Sequence, residues 1–187
     1  MVDGFREFLD TRFCAENSSV LDEVARCAER MVINKTTNLC DLLNELDILF
    51  VENGAFALSL LDVEENMQLY LMQQKDLWVN VFGCGEETTS LGISPSETGL
   101  VSILRYEKIL QIEDPEGRAF LLYLSLFEMV VSKQQEFEGM FLRERARGRY
   151  EILLVDYPGL FQHFRLKDIA SFMGISQVSL SRLRRRD

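Results

Sequence analysis

One histidine, one tryptophan and three prolines occur among the 187 residues. The single histidine, His163, has no cysteine or carboxylate at metal-ligand spacing, which argues against a zinc site and for a place on the surface. Four cysteines, Cys14, Cys27, Cys40 and Cys84, form no C-x-x-C pair. No apolar run approaches the roughly 20 residues that a membrane span needs. Residues 1–7 lack the basic-then-apolar start of a signal peptide. The expected setting is therefore cytoplasmic, where disulfides are rare, and the cysteines read as buried structural thiols. A phosphate-binding Gly-rich loop is absent, as is a serine in a Gly-x-Ser-x-Gly context. Gly83-Cys-Gly-Glu-Glu is too short and too acidic to cradle a phosphate. The carboxylates are scattered as surface charge. These absences leave no catalytic residues, no metal site, no cofactor and no assignable effector-binding residues, and they point away from an enzyme.

What is present is an uneven distribution of charge. The net charge of −10 would by itself repel nucleic acid. Residues 143–187 carry ten Lys or Arg against five Asp or Glu, a net +5, while the other 142 residues carry ten against twenty-five, a net −15. Only the basic end is suited to approach DNA. At 47% hydrophobic residues the chain can bury real cores, and its length suits one larger and one small domain.

The basic end holds the most specific pattern. Leu166, Ile169, Ala170 and Met173 recur at helical spacing. Ala170 is small where a second helix would cross closely. Gly174 falls where the chain must reverse through positive φ, and Ser176 suits the N-cap of a second helix. Ile175, Leu180 and Leu183 return to the core, leaving Gln177, Val178, Ser181, Arg182 and Arg185 outward. This spacing predicts a helix-turn-helix whose second helix lies in the DNA major groove. The expected DNA-binding residues are Ser176, Gln177, Val178, Ser181, Arg182, Arg184, Arg185 and Arg186. Arg182, one turn beyond Val178, is placed to read a guanine, with Gln177 and Ser181 beside it and Val178 against a thymine methyl. Arg184, Arg185 and Arg186 are expected on phosphate. The alternative is a ligand-sensing or protein-interaction module in which this helical hairpin is vestigial.

Residues 166–186 resemble the C-terminal module of the Crp/Fnr regulators, dimeric transcription factors with an N-terminal cyclic-nucleotide-binding-like domain. Arg149-Tyr-Glu-Ile-Leu-Leu-Val-Asp-Tyr-Pro-Gly-Leu-Phe161 resembles the helix and Pro turn before their motif. Ile48-Leu-Phe-Val-Glu-Asn-Gly-Ala-Phe-Ala-Leu58 resembles a strand, turn and strand of their sensor barrel. The resemblance implies an α+β protein in three parts. N-terminal helices and a small antiparallel β-barrel or jelly roll span residues 1–113, a long dimerisation helix spans 114–142, and an all-α helix-turn-helix domain spans 143–187. It implies double-stranded DNA and a second copy of the chain as partners, no membrane, and places for an unknown small-molecule effector and for RNA polymerase. Residues 157–166 are too few for a β-hairpin wing and resemble the wingless subgroup. Members that bind cyclic AMP carry a Gly-Glu helix start and an Arg-Ser/Thr-Ala phosphate cradle, which Gly85-Glu-Glu and Ser94-Pro-Ser-Glu-Thr-Gly-Leu do not reproduce. Some of these regulators hold an iron–sulfur cluster on closely spaced N-terminal cysteines. Here Cys14, Cys27 and Cys40 lie thirteen residues apart.

Taken in order, Phe5, Phe8, Leu9 and Phe13 predict a first helix. Ser19 reads as the cap of a second, with Asp22 and Glu23 in its first turn and an apolar stripe of Val20, Leu21, Val24, Ala28, Met31 and Val32. Strands are predicted over 47–51, 55–61, 67–72, 77–82, 99–104 and 109–112. Asn53-Gly54 reads as a hairpin turn, 62–66 as an acidic turn and 83–98 as a loop. Asp114-Pro115-Glu116 is expected to open a helix running to about Leu142. Phe120, Leu124, Phe127, Val131 and Phe141 fall on an approximate heptad seam, with polar Gln134 and Glu138 also on it, and are the expected dimer contacts. Leu121, Leu122, Leu126, Met129, Val130 and Phe137 widen that apolar surface. Residues 143–149 read as the hinge between domains, with Gly148 as its flexible point.

Overall fold

The computed structural model describes residues 4–13, 18–34, 37, 42–61, 67–79, 90–96 and 98–185. Two helices open the chain, α1 (Gly4–Arg12) and α2 (Ser18–Arg26). Phe5 and Leu9 of α1 and Val20, Leu21 and Val24 of α2 are buried in one cluster. The helical spacing carried the sequence reading too far here. Ser19 lies inside α2 rather than capping it, and the stripe breaks at a turn on Cys27. Ala28, Met31 and Val32 belong to a strand, β1 (Ala28–Ile33). That strand pairs along its whole length with residues 99–104, a long-range partner that local spacing cannot reveal.

The other strands are β2 (Ile48–Asn53), β3 (Phe56–Leu61), β4 (Met67–Met72), β5 (Leu77–Val79), β6 (Ser90–Pro95) and β7 (Gly99–Leu104). They form two antiparallel sheets, ordered β1-β7-β2-β5 and β4-β3-β6. The Asn53-Gly54 turn is not a hairpin, because β2 and β3 lie in different sheets. It is a corner at which the chain crosses from one sheet to the other. Gly54 adopts φ +95 there, a conformation only glycine takes cheaply. Of the loop expected over 83–98, residues 83–89 lie outside the described residues and 90–95 form β6 instead; their Gly, Ser and Pro content hid an edge strand that pairs with β3 alone among the described residues. The expected acidic turn at 62–66, residues 80–82 of the fourth predicted strand, and Gly85-Glu-Glu lie outside the described residues.

β2 shows how the sheets divide the core. Leu49 and Val51 face the space between the sheets, while Ile48 and Phe50 face the helices on the outside. Both faces of the strand are buried, which explains an unbroken apolar run in an antiparallel sheet.

After β7 the chain forms α3 (Tyr106–Leu110), where a strand over 109–112 was expected. The cause is remote in sequence. The Asp47 carboxylate, 1% exposed, accepts the Tyr106 N–H at 3.0 Å and the Arg105 guanidinium at 2.7 Å, which fixes a helix start. Arg105 also donates to Glu29 and to the Leu42 carbonyl. Beside Lys108 and Arg105, the Glu29 carboxyl is held below the usual carboxylate range.

The long helix α4 (Arg118–Arg143) begins four residues later than Asp114-Pro115-Glu116 suggested. Asp114 instead caps from outside, accepting the Ala119 N–H at 2.8 Å, which holds its carboxyl below the usual range. The N-terminal half of α4 packs Leu122, Tyr123, Leu126 and Val130 on α1, α2 and the four-stranded sheet. Its C-terminal half sends Phe137 and Met140 into the cluster that fills the space between the sheets. Helices α5 (Ala146–Asp156), α6 (Leu160–His163), α7 (Leu166–Phe172) and α8 (Gln177–Arg184) complete the chain. Gly148 is inside α5 and is not a flexible point; the break falls at Glu144 and Arg145, both extended.

Candidate nucleic-acid interface

The α7–turn–α8 unit follows from its residues one by one. Ile169, Ala170 and Met173 are fully buried, with Leu166 half-buried beside them. Gly174 takes φ +66. The Ile175 N–H then bonds the Ala170 carbonyl and the Gly174 N–H the Ser171 carbonyl, both at 2.9 Å. This pair of bonds terminates α7 and reverses the chain with its last carbonyls satisfied. Ser176 caps α8 by accepting the Ser179 N–H at 3.2 Å. Leu180 is fully buried, and Ile175 and Leu183 pack half-buried against the same core.

That leaves one face of α8 outward. Ser176, Gln177, Val178, Arg182, Arg184 and Arg185 are exposed, and Ser181 is half-buried. Val178 is 60% exposed, an unusual place for an aliphatic side chain without a partner. Arg182, Arg184 and Arg185 make no ion pair or hydrogen bond with another described residue. Arg186, expected beside them, lies outside the described residues. The helix thus presents free guanidinium groups, a methyl surface and small polar groups, the set that reads base edges and phosphates in a major groove.

The expected dimer seam is also exposed on the single chain. Phe120 is 39% and Leu124 42% exposed, with Leu121 at 58% beside them. Phe127 and Val131 are half-buried. Phe141 differs: its ring meets Phe172 at 5.6 Å and carries the Arg149 guanidinium at 5.1 Å, so it is engaged within the chain.

No family model matches the sequence, and no curated protein matches it. Solved structures do match by shape. A double mutant of CooA from Carboxydothermus hydrogenoformans superposes with a TM-score of 0.62 at 12% identity, over 100% of this chain and 84% of that one. The c-di-GMP-responsive global regulator CLP of Xanthomonas campestris gives 0.58 at 10% identity, over 90% of each chain. A protein of Eubacterium rectale described as a transcriptional regulator of the Crp/Fnr family gives 0.59 at 13% identity, over 95% and 85%. The chain has the fold of the Crp/Fnr regulators. The α+β class expected from the sequence stands, with antiparallel sheets followed by a helical C-terminal region.

Within this Crp/Fnr fold the helix-turn-helix sits directly on the β-sheets. β4 is an edge strand that pairs only with β3 among the described residues, and α7 covers that edge. The Gln68 N–H of β4 donates to Ser171 Oγ at 3.1 Å. Phe172 stands edge-on to Phe137 at 5.4 Å, and Phe137 touches Tyr70 of β4 and Tyr157 at the end of α5. Lys133 of α4 pairs with Asp76 and lies over the rings of Tyr70 and Tyr157 at 5.9 and 5.6 Å. Gln68 Oε1 is buried here with no partner among the described residues. Such an orphan costs about 1–3 kcal/mol.

Sequence reasoning missed Gln68, Lys133 and Ser171. Lys133 interrupts the apolar surface of α4, but nothing in one sequence marks the contact of Gln68 with Ser171, 103 positions apart. His163 is exposed at the end of α6, and Cys27 is buried and free; Cys14, Cys40 and Cys84 lie outside the described residues. Among the described residues no helix is long and apolar enough to cross a membrane, and no group of three His, Cys, Asp or Glu could hold a metal ion.

Proposed function

We propose that this chain is a dimeric, sequence-specific DNA-binding transcription regulator of the Crp/Fnr type, acting in the cytoplasm. The observation that carries the reading is the Ser176-capped helix α8, whose outward face holds unpaired Arg182, Arg184 and Arg185 at the basic end of an acidic protein. In this reading residues 1–113 are the sensor, 114–142 the dimerisation helix and 143–187 the DNA-binding domain. Arg186 joins the phosphate contacts. The only element between α5 and α7 is the four-residue α6, which favours the wingless subgroup. Phe120, Leu124, Phe127 and Val131 supply the dimer surface, and RNA polymerase and a small-molecule effector are further partners.

The deciding experiment is DNA binding as a function of salt. Each phosphate neutralised by Lys or Arg releases counterions, so log affinity should fall linearly and steeply with log salt, with a slope of about −0.9 per phosphate contacted. A flat dependence, or no binding at low salt, would favour an interaction module with a vestigial helix-turn-helix.

The sensor is divergent. No Arg or Lys lies between Lys75 and Arg105, so that stretch supplies no charge-assisted partner for a cyclic phosphodiester. Isothermal calorimetry is expected to detect no tight cyclic AMP binding; micromolar affinity would overturn this.

A further inference from the structure

We infer that α8 reads the C5-methyl group of a pyrimidine through Val178, so that 5-methylcytosine is recognised as thymine is and methylation of the DNA at one position tightens binding. The inference rests on the DNA-binding reading and deepens it by naming a chemical mark on the DNA that the helix distinguishes.

Val178 is the outward residue of α8 that phosphate attraction leaves unexplained. Among the described residues from Leu160 onward it is the only large apolar side chain that is exposed, at 60%. Nothing local favours valine there. On an open helix surface a β-branched side chain loses rotamer freedom and gains no burial in return. The first turn of a helix favours carboxylates, yet that of α8 holds none. A carboxylate there would repel phosphate, which valine does not. Around Val178 stand Arg182 and Arg185, both exposed and unpaired among the described residues, at the basic end of the chain. An apolar group set among free guanidinium groups fits a partner that is anionic along its backbone and carries methyl groups in its groove.

The major groove shows few features by which a pyrimidine can be told. Cytosine presents its N4 amino group, which Glu or Asp accepts, and thymine presents O4 and the C5-methyl. α8 runs Gln177-Val-Ser-Leu-Ser-Arg-Leu-Arg184 and contains no carboxylate. Its exposed apolar group matches the C5-methyl instead. 5-Methylcytosine carries that methyl on the same ring carbon, whereas cytosine and uracil have only hydrogen there. Val178 and Arg182, four residues apart, share one face of the helix. They are about 6 Å apart along its axis, roughly the rise of two base pairs. The methyl read by Val178 therefore lies within about two base pairs of the guanine read by Arg182. Taking one methyl out of water against Val178 changes affinity by about fourfold.

The test uses the full-length protein and a DNA site selected from a random library, with affinity read by fluorescence anisotropy at one salt concentration. Each thymine of one half-site is replaced in turn by deoxyuridine, which keeps the pairing with adenine and removes only the methyl. One such position, within about two base pairs of the guanine that Arg182→Ala ceases to distinguish, should cost about fourfold. At that position 5-methylcytosine and cytosine are then compared, both opposite guanine, so that again only the methyl differs. The methylated DNA should bind about fourfold more tightly. Val178→Ala should abolish both differences while leaving the melting temperature unaltered, since the side chain is exposed. The inference is overturned if no thymine methyl near that guanine matters, or if 5-methylcytosine and cytosine bind alike. It is overturned equally if the methyl effects persist in Val178→Ala, because the mark then acts through DNA shape or another residue. An unmodified protein that selects no sequence at all would instead bring down the DNA-binding reading, and methyl recognition with it.

Discussion

Leu124→Asp and Val131→Asp are each expected to turn a two-fold dimer into monomers. The two positions lie on one seam of α4, and the folded chain does little with either. Leu124 is 42% exposed, and Val131 is half-buried without belonging to either core cluster. Phe127 is a poorer choice, because its ring leans on Tyr123 at 6.4 Å and packs against the core, so its loss would disturb the fold as well. In a symmetric dimer the seam meets its own copy, and one substitution places two carboxylates in the interface. Burying an unpaired charge costs several kcal/mol. The dimer dissociation constant should therefore rise on the order of 100-fold or more. Sedimentation velocity over a concentration series measures it, with circular dichroism to check that the fold persists. Dimers that survive both substitutions, or an unmodified protein that is monomeric at working concentration, would remove α4 from the assembly.

The second large effect is expected at Arg182. It is exposed one turn beyond Val178, unpaired among the described residues, on the face that Ser176 and Gln177 begin. A guanidinium at base-edge depth can donate to guanine O6 and N7 together, whereas one near the end of the helix reaches only phosphate. Arg182→Ala should cost roughly 1–3 kcal/mol and relax preference at one base pair per half-site, while Arg185→Ala should weaken all sequences alike. Binding to a DNA library at one fixed salt concentration separates the two. Equal loss on every sequence for Arg182→Ala would make it a backbone contact, and no loss would undermine the reading of α8.

What the sequence made legible was decided by local chemistry. The α7–α8 unit is specified within some twenty residues by a small residue, a left-handed glycine and a serine cap, so its positions could be assigned directly. β4 and β7 lay where alternation and composition placed them. The errors have distant causes. Ala28, Met31 and Val32 continue a helical spacing perfectly well, and only pairing with β7 makes them a strand. Ile109 and Ile112 look like strand residues, but Asp47 holds the preceding backbone as a helix start from 59 positions away. The Asn53-Gly54 pair signalled a tight turn truly, yet which sheet each flanking strand joins depends on partners elsewhere. For the candidate site, the outward-facing residues of α8 were readable and the surface on which the unit rests was not.

The bond between Gln68 and Ser171 also sets an order of events during synthesis. The sheet strands leave the ribosome first, and Ser171 of α7 follows Gln68 of β4 by 103 positions. At 5–20 residues per second this is a delay on the order of ten seconds, far longer than a hairpin needs to form. For that interval β4 has no helix along its outer side. A bare strand edge is a template for any other strand, including the same edge on a neighbouring nascent chain. The helices from α7 onward therefore guard against misassembly, and a ribosome that stalls before residue 166 leaves a pair of sheets prone to pair with their own copies.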